Sequence, residues 1–187
     1  LPDGLFAAFT FGPADAPKQI MTTLDYLGAP LQTANFIRIV EGKAPAAGPQ
    51  GMGGRGPGAP GQPRPEIPPI GTLEIADRMI KGLIVSEVQK SVAISSLPLT
   101  PNSALKHDGP GVLGLSGPNV LYLTLQKNAG LDAKFTAIGK TIAGLDLLPQ
   151  LKKGEPIRSI RIVRVGQAAR DFKTDDEAFK KLLDSAK

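Results

Sequence analysis

The chain has no cysteine, no tryptophan, one histidine and only 5% aromatic residues. Without cysteine there is no disulfide, no thiolate nucleophile and no cysteine-ligated metal. That absence fits the cytosol and a cell envelope equally. The single histidine, His107, has no second imidazole to join in a metal site. The shortage of rings makes the core aliphatic and denies the chain an aromatic platform for stacking bases. No apolar run reaches the ~18 residues of a transmembrane helix. The net charge is +5, but the basic residues are scattered. The densest set is Lys152, Lys153, Arg158, Arg161 and Arg164. It reads as a solvated face rather than a nucleic-acid surface.

What is present suits one domain. The chain has 187 residues and is 41% hydrophobic, enough for a core. "LFAAFTF" over 5–11 reads as a strand. "QIMTTLDY" over 19–26 alternates like a half-buried strand, and "GPADAPK" between them is a turn, so the pair predicts a β-hairpin. In "APLQTANFIRIVEG", Pro30 suits a first helical turn, and Leu31, Ala34, Ile37 and Val40 keep helical spacing to a stop at Gly42. Short strands are expected at 72–80, 83–89, 91–96, 119–125 and 135–140. A short helix is expected at 144–153 despite Pro149. "IRSIRIVRV" over 157–165 reads as a strand, with a bulge expected near Ile162 and Val163. "TDDEAFKKLLDSAK" reads as a helix, with Thr174 and Glu177 in a capping-box pattern. His107, in "LKHDGPG", reads as a solvated loop residue. The chain starts at Leu1 rather than Met. That gives the expectation of a removed segment and tilts the compartment toward a bacterial cell envelope or periplasm over the cytoplasm.

Residues 44–70 differ in composition from the rest. They hold eight prolines among many glycines, with few apolar anchors beyond Met52 and Ile67. Gly-X-Y triplets start at Gly48 and soon lose register, which argues against a collagen helix. Gly51, Gly53, Gly54 and Gly56 precede no Lys-Ser/Thr, so a phosphate loop is not expected. The expectation is an extended, polyproline-like segment lying on a neighbouring chain, with Arg55 and Arg64 making polar contacts there.

The order of elements resembles the cyclophilins, a family of peptidyl-prolyl cis-trans isomerases. "APLQTANFIRIVEG", with Asn35 and Phe36, is similar to that family's first-helix motif. "GVLGLSG" over 111–117, which contains Ser116, is similar to its Gly-x-Leu-Ser-Met-Ala-Asn strand. "LDAKFTAIGKTIAGLDLLPQL" over 131–151 and "EPIRSIRIVRVG" are similar to later family stretches. The resemblance implies a mainly β fold: a closed antiparallel eight-stranded barrel capped by two helices. The expected organisation is a barrel over 1–168 with the insertion 44–70, then a C-terminal helical extension over 169–187.

With the insertion removed, "ADRMIKGLIVSE" falls on the family's catalytic motif and Arg78 on its catalytic arginine. The resemblance then implies that Arg78 donates to the imide nitrogen of an X–Pro bond and favours its twisted state. It needs neither cofactor nor metal. Leu83, Leu121, Leu131 and Phe135 would form the proline pocket, with Ser86 and Ser116 also in the peptide site. The alternative for Arg78 is a strand-edge charge paired with Asp77 or Glu74. The sequence departs from the family at most pocket positions. Two functions follow: a cyclophilin-like domain with weak or no isomerase activity, acting as a protein-binding or structural subunit of a larger assembly, or an active isomerase assisting protein folding. The expected partner is a protein or a proline-containing peptide, with no nucleic acid.

Overall fold

In the computed structural model, residues 1–42, 71–76, 79–84 and 96–186 are described. β1 (Gly4–Phe11) and β2 (Lys18–Leu24) form the expected antiparallel hairpin, in register from Leu5↔Leu24 to Phe11↔Lys18. Period-two alternation sends Leu5, Ala7, Phe9 and Phe11 of β1 into the core, along with Ile20 and Leu24 of β2. The other strands are β3 (Gly71–Ala76), β4 (Met79–Ile84), β5 (Val112–Leu115), β6 (Val120–Thr124), β7 (Thr136–Ala143) and β8 (Pro156–Val165).

Six strands run as one strongly curled antiparallel sheet in the order β8-β1-β2-β7-β5-β6. This is a half-barrel, and the hairpin β3–β4 lies across its opening. β4 joins β6 over five residue pairs. β3 joins β8 over only Gly71↔Ile157 and Thr72↔Pro156. Past those two pairs the Leu73 N–H donates to the Glu155 carbonyl at 2.9 Å and the Gly154 N–H to the Leu73 carbonyl at 2.8 Å, and this seam completes the backbone circuit. Only the regular ladder ends at Pro156, which has no N–H to donate. The expected closed cyclophilin-type barrel is therefore corrected to an open half-barrel in a mixed α/β fold.

α1 (Pro30–Glu41) begins at Pro30 and ends at Gly42, whose φ of 52° is left-handed and whose N–H reaches the Arg38 carbonyl. All residues from Leu31 to Ile39 are buried. A helix buried on every side must satisfy its polar groups internally. Gln32 donates to the Pro98 carbonyl at 2.6 Å, Asn35 to the Pro118 carbonyl at 2.7 Å, and Thr33 to the Asp25 carbonyl at 3.2 Å. Asn35 Oδ1, Arg38 Nε and Thr22 Oγ1 stay buried without a partner.

The expected helix over 144–153 is a 3₁₀ turn, Leu145–Gln150, with Pro149 inside it. Its missing N–H works against an α-helical ladder there. α2 (Gln167–Asp171) and α3 (Asp176–Ser185) follow. Ala169 and Phe179 join the same core cluster as α1 and the sheet. The N-cap of α3 is Asp175, which accepts from the Ala178 N–H, and not Thr174. Thr174 is instead buried, with its carbonyl taken by Arg38. The bulge expected near Ile162 lies elsewhere. β1 and β8 stay in register there, and the shift falls between Thr10 and Phe11.

Candidate functional site

Of the residues expected to form a proline pocket, Leu131 and Phe135 come together, and Leu121 lies in another cluster. Arg78, Ser86, Arg55 and Arg64 lie outside the described residues. Leu83 pairs with Val120 through its backbone, and its side chain lies outside the description. Ser116 sits in the β5–β6 turn, where its N–H donates to the Val120 carbonyl. Leu121 is buried in the main core. Leu131 and Phe135 pack instead on Tyr122, in a separate cluster. Adjacent residues of a strand face opposite sides of the sheet, so Leu121 and the Leu131–Phe135 pair cannot share one cup. Both the isomerase and the cyclophilin-subunit readings fall with the open half-barrel fold.

The position those two residues pack on is Tyr122, one end of a polar network centred on His107 that the sequence did not reveal. His107 is 1% exposed, so the solvated-loop expectation is corrected. Its Nδ1 lies 2.6 Å from Asp132 Oδ1 and its Nε2 lies 2.6 Å from the Tyr122 hydroxyl. The consistent assignment has Nδ1–H donating to the carboxylate and the phenol O–H donating to Nε2. The His107 N–H also donates to Asp132, at 2.9 Å. Gly114 makes room for the ring: a Cβ there would sit 2.2 Å from the Tyr122 hydroxyl.

Electrostatics follow from burial. Removal from water, then the Asp132 charge, pushes the Tyr122 phenol well above its usual range. The backbone N–H of His107 holds the Asp132 carboxyl below its usual range. The His107 ring and Lys106 help, against a smaller desolvation effect. The arrangement has the connectivity of an acid–base relay; its Tyr122 end is fully buried and its Asp132 end is partly exposed. It ties the 96–110 connection to β6 and to the turn at Asp132. No local sequence signal marks it, since its members are 15 and 25 residues apart.

This network has a pH signature. A carboxyl whose folded pKa is depressed adds stability above its unfolded value, about 3.9 for Asp. That stability is lost as pH falls through the lower, folded value. Urea unfolding of the wild type should therefore weaken below about pH 4. Asp132→Asn should flatten that fall and lower stability at pH 7. An unchanged acid limb in Asp132→Asn would place the acid sensitivity elsewhere.

A more accessible feature lies on the outer face of β8-β1-β2. Register sets Arg161, Ala8 and Met21 in one row, with Ser159, Thr10 and Gln19 in the next. Ala8, Thr10 and Ser159 are small, so the taller Arg161, Gln19 and Met21 rise around a depression of about 510 Å³, with Ala143 of β7 at its far side. β7 is bulged where it meets β2: Met21 pairs with Ala143 and Thr22 with Thr141, leaving Ile142 over. A bulge re-aims a side chain, and Ile142 is 47% exposed. Among the described residues Arg161 is the one charged residue lining the depression.

Among the described residues no group of three His, Asp or Glu side chains could hold a metal ion. None of their helices is long and apolar enough to cross a membrane. No protein-family model matches the chain.

Proposed function

We propose that this chain is a binding domain that takes a polypeptide partner on the outer face of β8-β1-β2. The observation that carries the reading is the depression over Ala8, Thr10 and Ser159, walled by Arg161, Gln19 and Met21. It combines an exposed apolar contact, hydroxyl and amide groups for hydrogen bonds, and one cation. Such a mixture suits a protein surface more than a small apolar ligand. The Tyr122–His107–Asp132 network takes no part in this reading: His107 and Tyr122 are buried and hold the 96–110 connection to β6. Residues 44–70, where the sequence placed Arg55 and Arg64 against a partner, take no part in this reading.

The test is amide chemical-shift mapping with three short peptide sets, acidic, basic and neutral, each containing leucine. At least one set should shift the amides of residues 8, 10, 19, 21, 159 and 161. Ala8→Trp, which fills the depression, should abolish those shifts without altering the far-ultraviolet circular dichroism. If no set moves these amides, the reading is wrong.

A further inference from the structure

We infer that the depression selects a segment in polyproline II conformation, with an acidic residue three positions before an apolar one. This rests on the binding reading above and specifies the partner's chemistry.

The sign of the charge comes from the lining. Arg161 is exposed, lies directly across from Ala8 and is, among the described residues, the one charged group lining the depression. A guanidinium facing small side chains offers a fork of donors to a carboxylate. A basic ligand would meet the same charge unpaired.

The spacing comes from the strand register. Arg161, Ala8 and Met21 are cross-strand neighbours on β8, β1 and β2. Neighbouring strands are about 4.8 Å apart, so Arg161 and Met21 are separated by roughly 10 Å. A fully extended ligand covers that distance in three residues, but its side chains at i and i+3 point to opposite sides. Polyproline II rises about 3.1 Å per residue with three residues per turn, so i and i+3 share one face about 9.3 Å apart. That matches the two anchors: the carboxylate on Arg161 and the apolar side chain on Met21. Ala143 and the exposed Ile142, one strand further, extend the apolar end. Gln19, Thr10 and Ser159 are left to bond the ligand backbone between the anchors. Such a backbone has no internal hydrogen bonds and leaves its carbonyls free for them.

The experiment is fluorescence anisotropy on the full chain with three labelled peptides. One carries Glu-Pro-Pro-Leu, one Lys-Pro-Pro-Leu, and one Glu-Leu-Pro-Pro, where charge and leucine are adjacent. The first should bind about tenfold tighter than either of the others, as expected for one charge-assisted contact. Arg161→Glu should remove that preference and turn it toward the lysine peptide. Arg161→Lys should keep part of it. If the lysine peptide binds the wild type as well as the glutamate one, or if Arg161→Glu changes nothing, the inference is overturned. The outer face as a binding surface would survive that result if any peptide still shifted its amides. Equal binding of Glu-Pro-Pro-Leu and Glu-Leu-Pro-Pro would overturn the spacing.

Discussion

Phe9→Ala is expected to destabilise the protein by about 3–5 kcal/mol. For a chain of this size that lowers the melting temperature by roughly 10 °C. Phe9 is completely buried on β1. Its ring stacks on Phe11 at 5.7 Å between centroids and meets Phe36 of α1 at 6.3 Å. Those contacts join the half-barrel to the helix it curls around. The chain has only seven phenylalanines and no tryptophan, so few large rings remain to fill the hole. Removal costs the transfer free energy of the ring plus the cavity it leaves, since close-packed neighbours relax only in part. Thermal unfolding followed by circular dichroism checks it, with exposed Asp15→Ala as a control expected to stay within about 0.5 kcal/mol. A loss under about 1 kcal/mol would mean that the inner face of β1 is not the principal core.

Arg38→Ala carries the second large effect, about 2–3 kcal/mol, taken from the loss of buried hydrogen bonds to a charged group. Arg38 is buried on α1 and grips α3 three ways. Nη1 donates to the Thr174 carbonyl at 2.9 Å, Nη2 donates to Asp176 at 2.7 Å, and the guanidinium lies 4.6 Å from the Phe179 ring centroid. The three contacts are unequal. The Asp176 side chain is 95% exposed, so solvent screens that pair and Asp176→Asn should cost no more than about 0.5 kcal/mol. The Thr174 carbonyl and the Phe179 ring are buried, and both are left without their partner when the arginine is truncated. The unpaired Nε works against the arrangement. Its removal is part of why the estimate stays below that for Phe9. Hydrogen exchange should show α3 amides losing protection first in Arg38→Ala. If Asp176→Asn is as damaging as Arg38→Ala, the exposed ion pair holds α3 and the buried contacts do not.

Neither substitution is one that sequence patterning alone would rank first. Phe9 is one of several apolar residues in "LFAAFTF", and only the register with β2 and β8 shows which of them face α1. Arg38 looks like a basic residue near a helix end, where it would be expected in water. It becomes a buried anchor because α3, more than 130 residues later, folds back over it. The expected proline pocket depends on register in the same way. Matching short stretches in order placed Leu121 on a pocket position, but sharing a surface requires sharing a face. One residue of offset along a strand moves a side chain to the other side of the sheet. Tyr122, not Leu121, meets Leu131 and Phe135.

Elements whose causes are local were legible in the chain itself. The β1–β2 hairpin follows from alternation on both sides of a Gly/Pro turn. The limits of α1 follow from the fixed φ of Pro30 and the left-handed φ of Gly42. The strand at 156–165 and the C-terminal helix follow from period two and a capped apolar stripe. Tertiary structure decided what depends on distant partners. It chose Asp175 over Thr174 as the cap, because the Thr174 carbonyl was needed by Arg38. It buried His107 between Asp132 and Tyr122. It laid β3 against β8 across the opening of the half-barrel, through two ladder pairs and the backbone bonds of Leu73. It set Arg161, Ala8 and Met21 in one row from three strands. Periodicity states which residues of one element share a side. Only the pairing register states which sides of different elements meet, because that register minimises buried polar groups over the whole molecule rather than within any window of the chain.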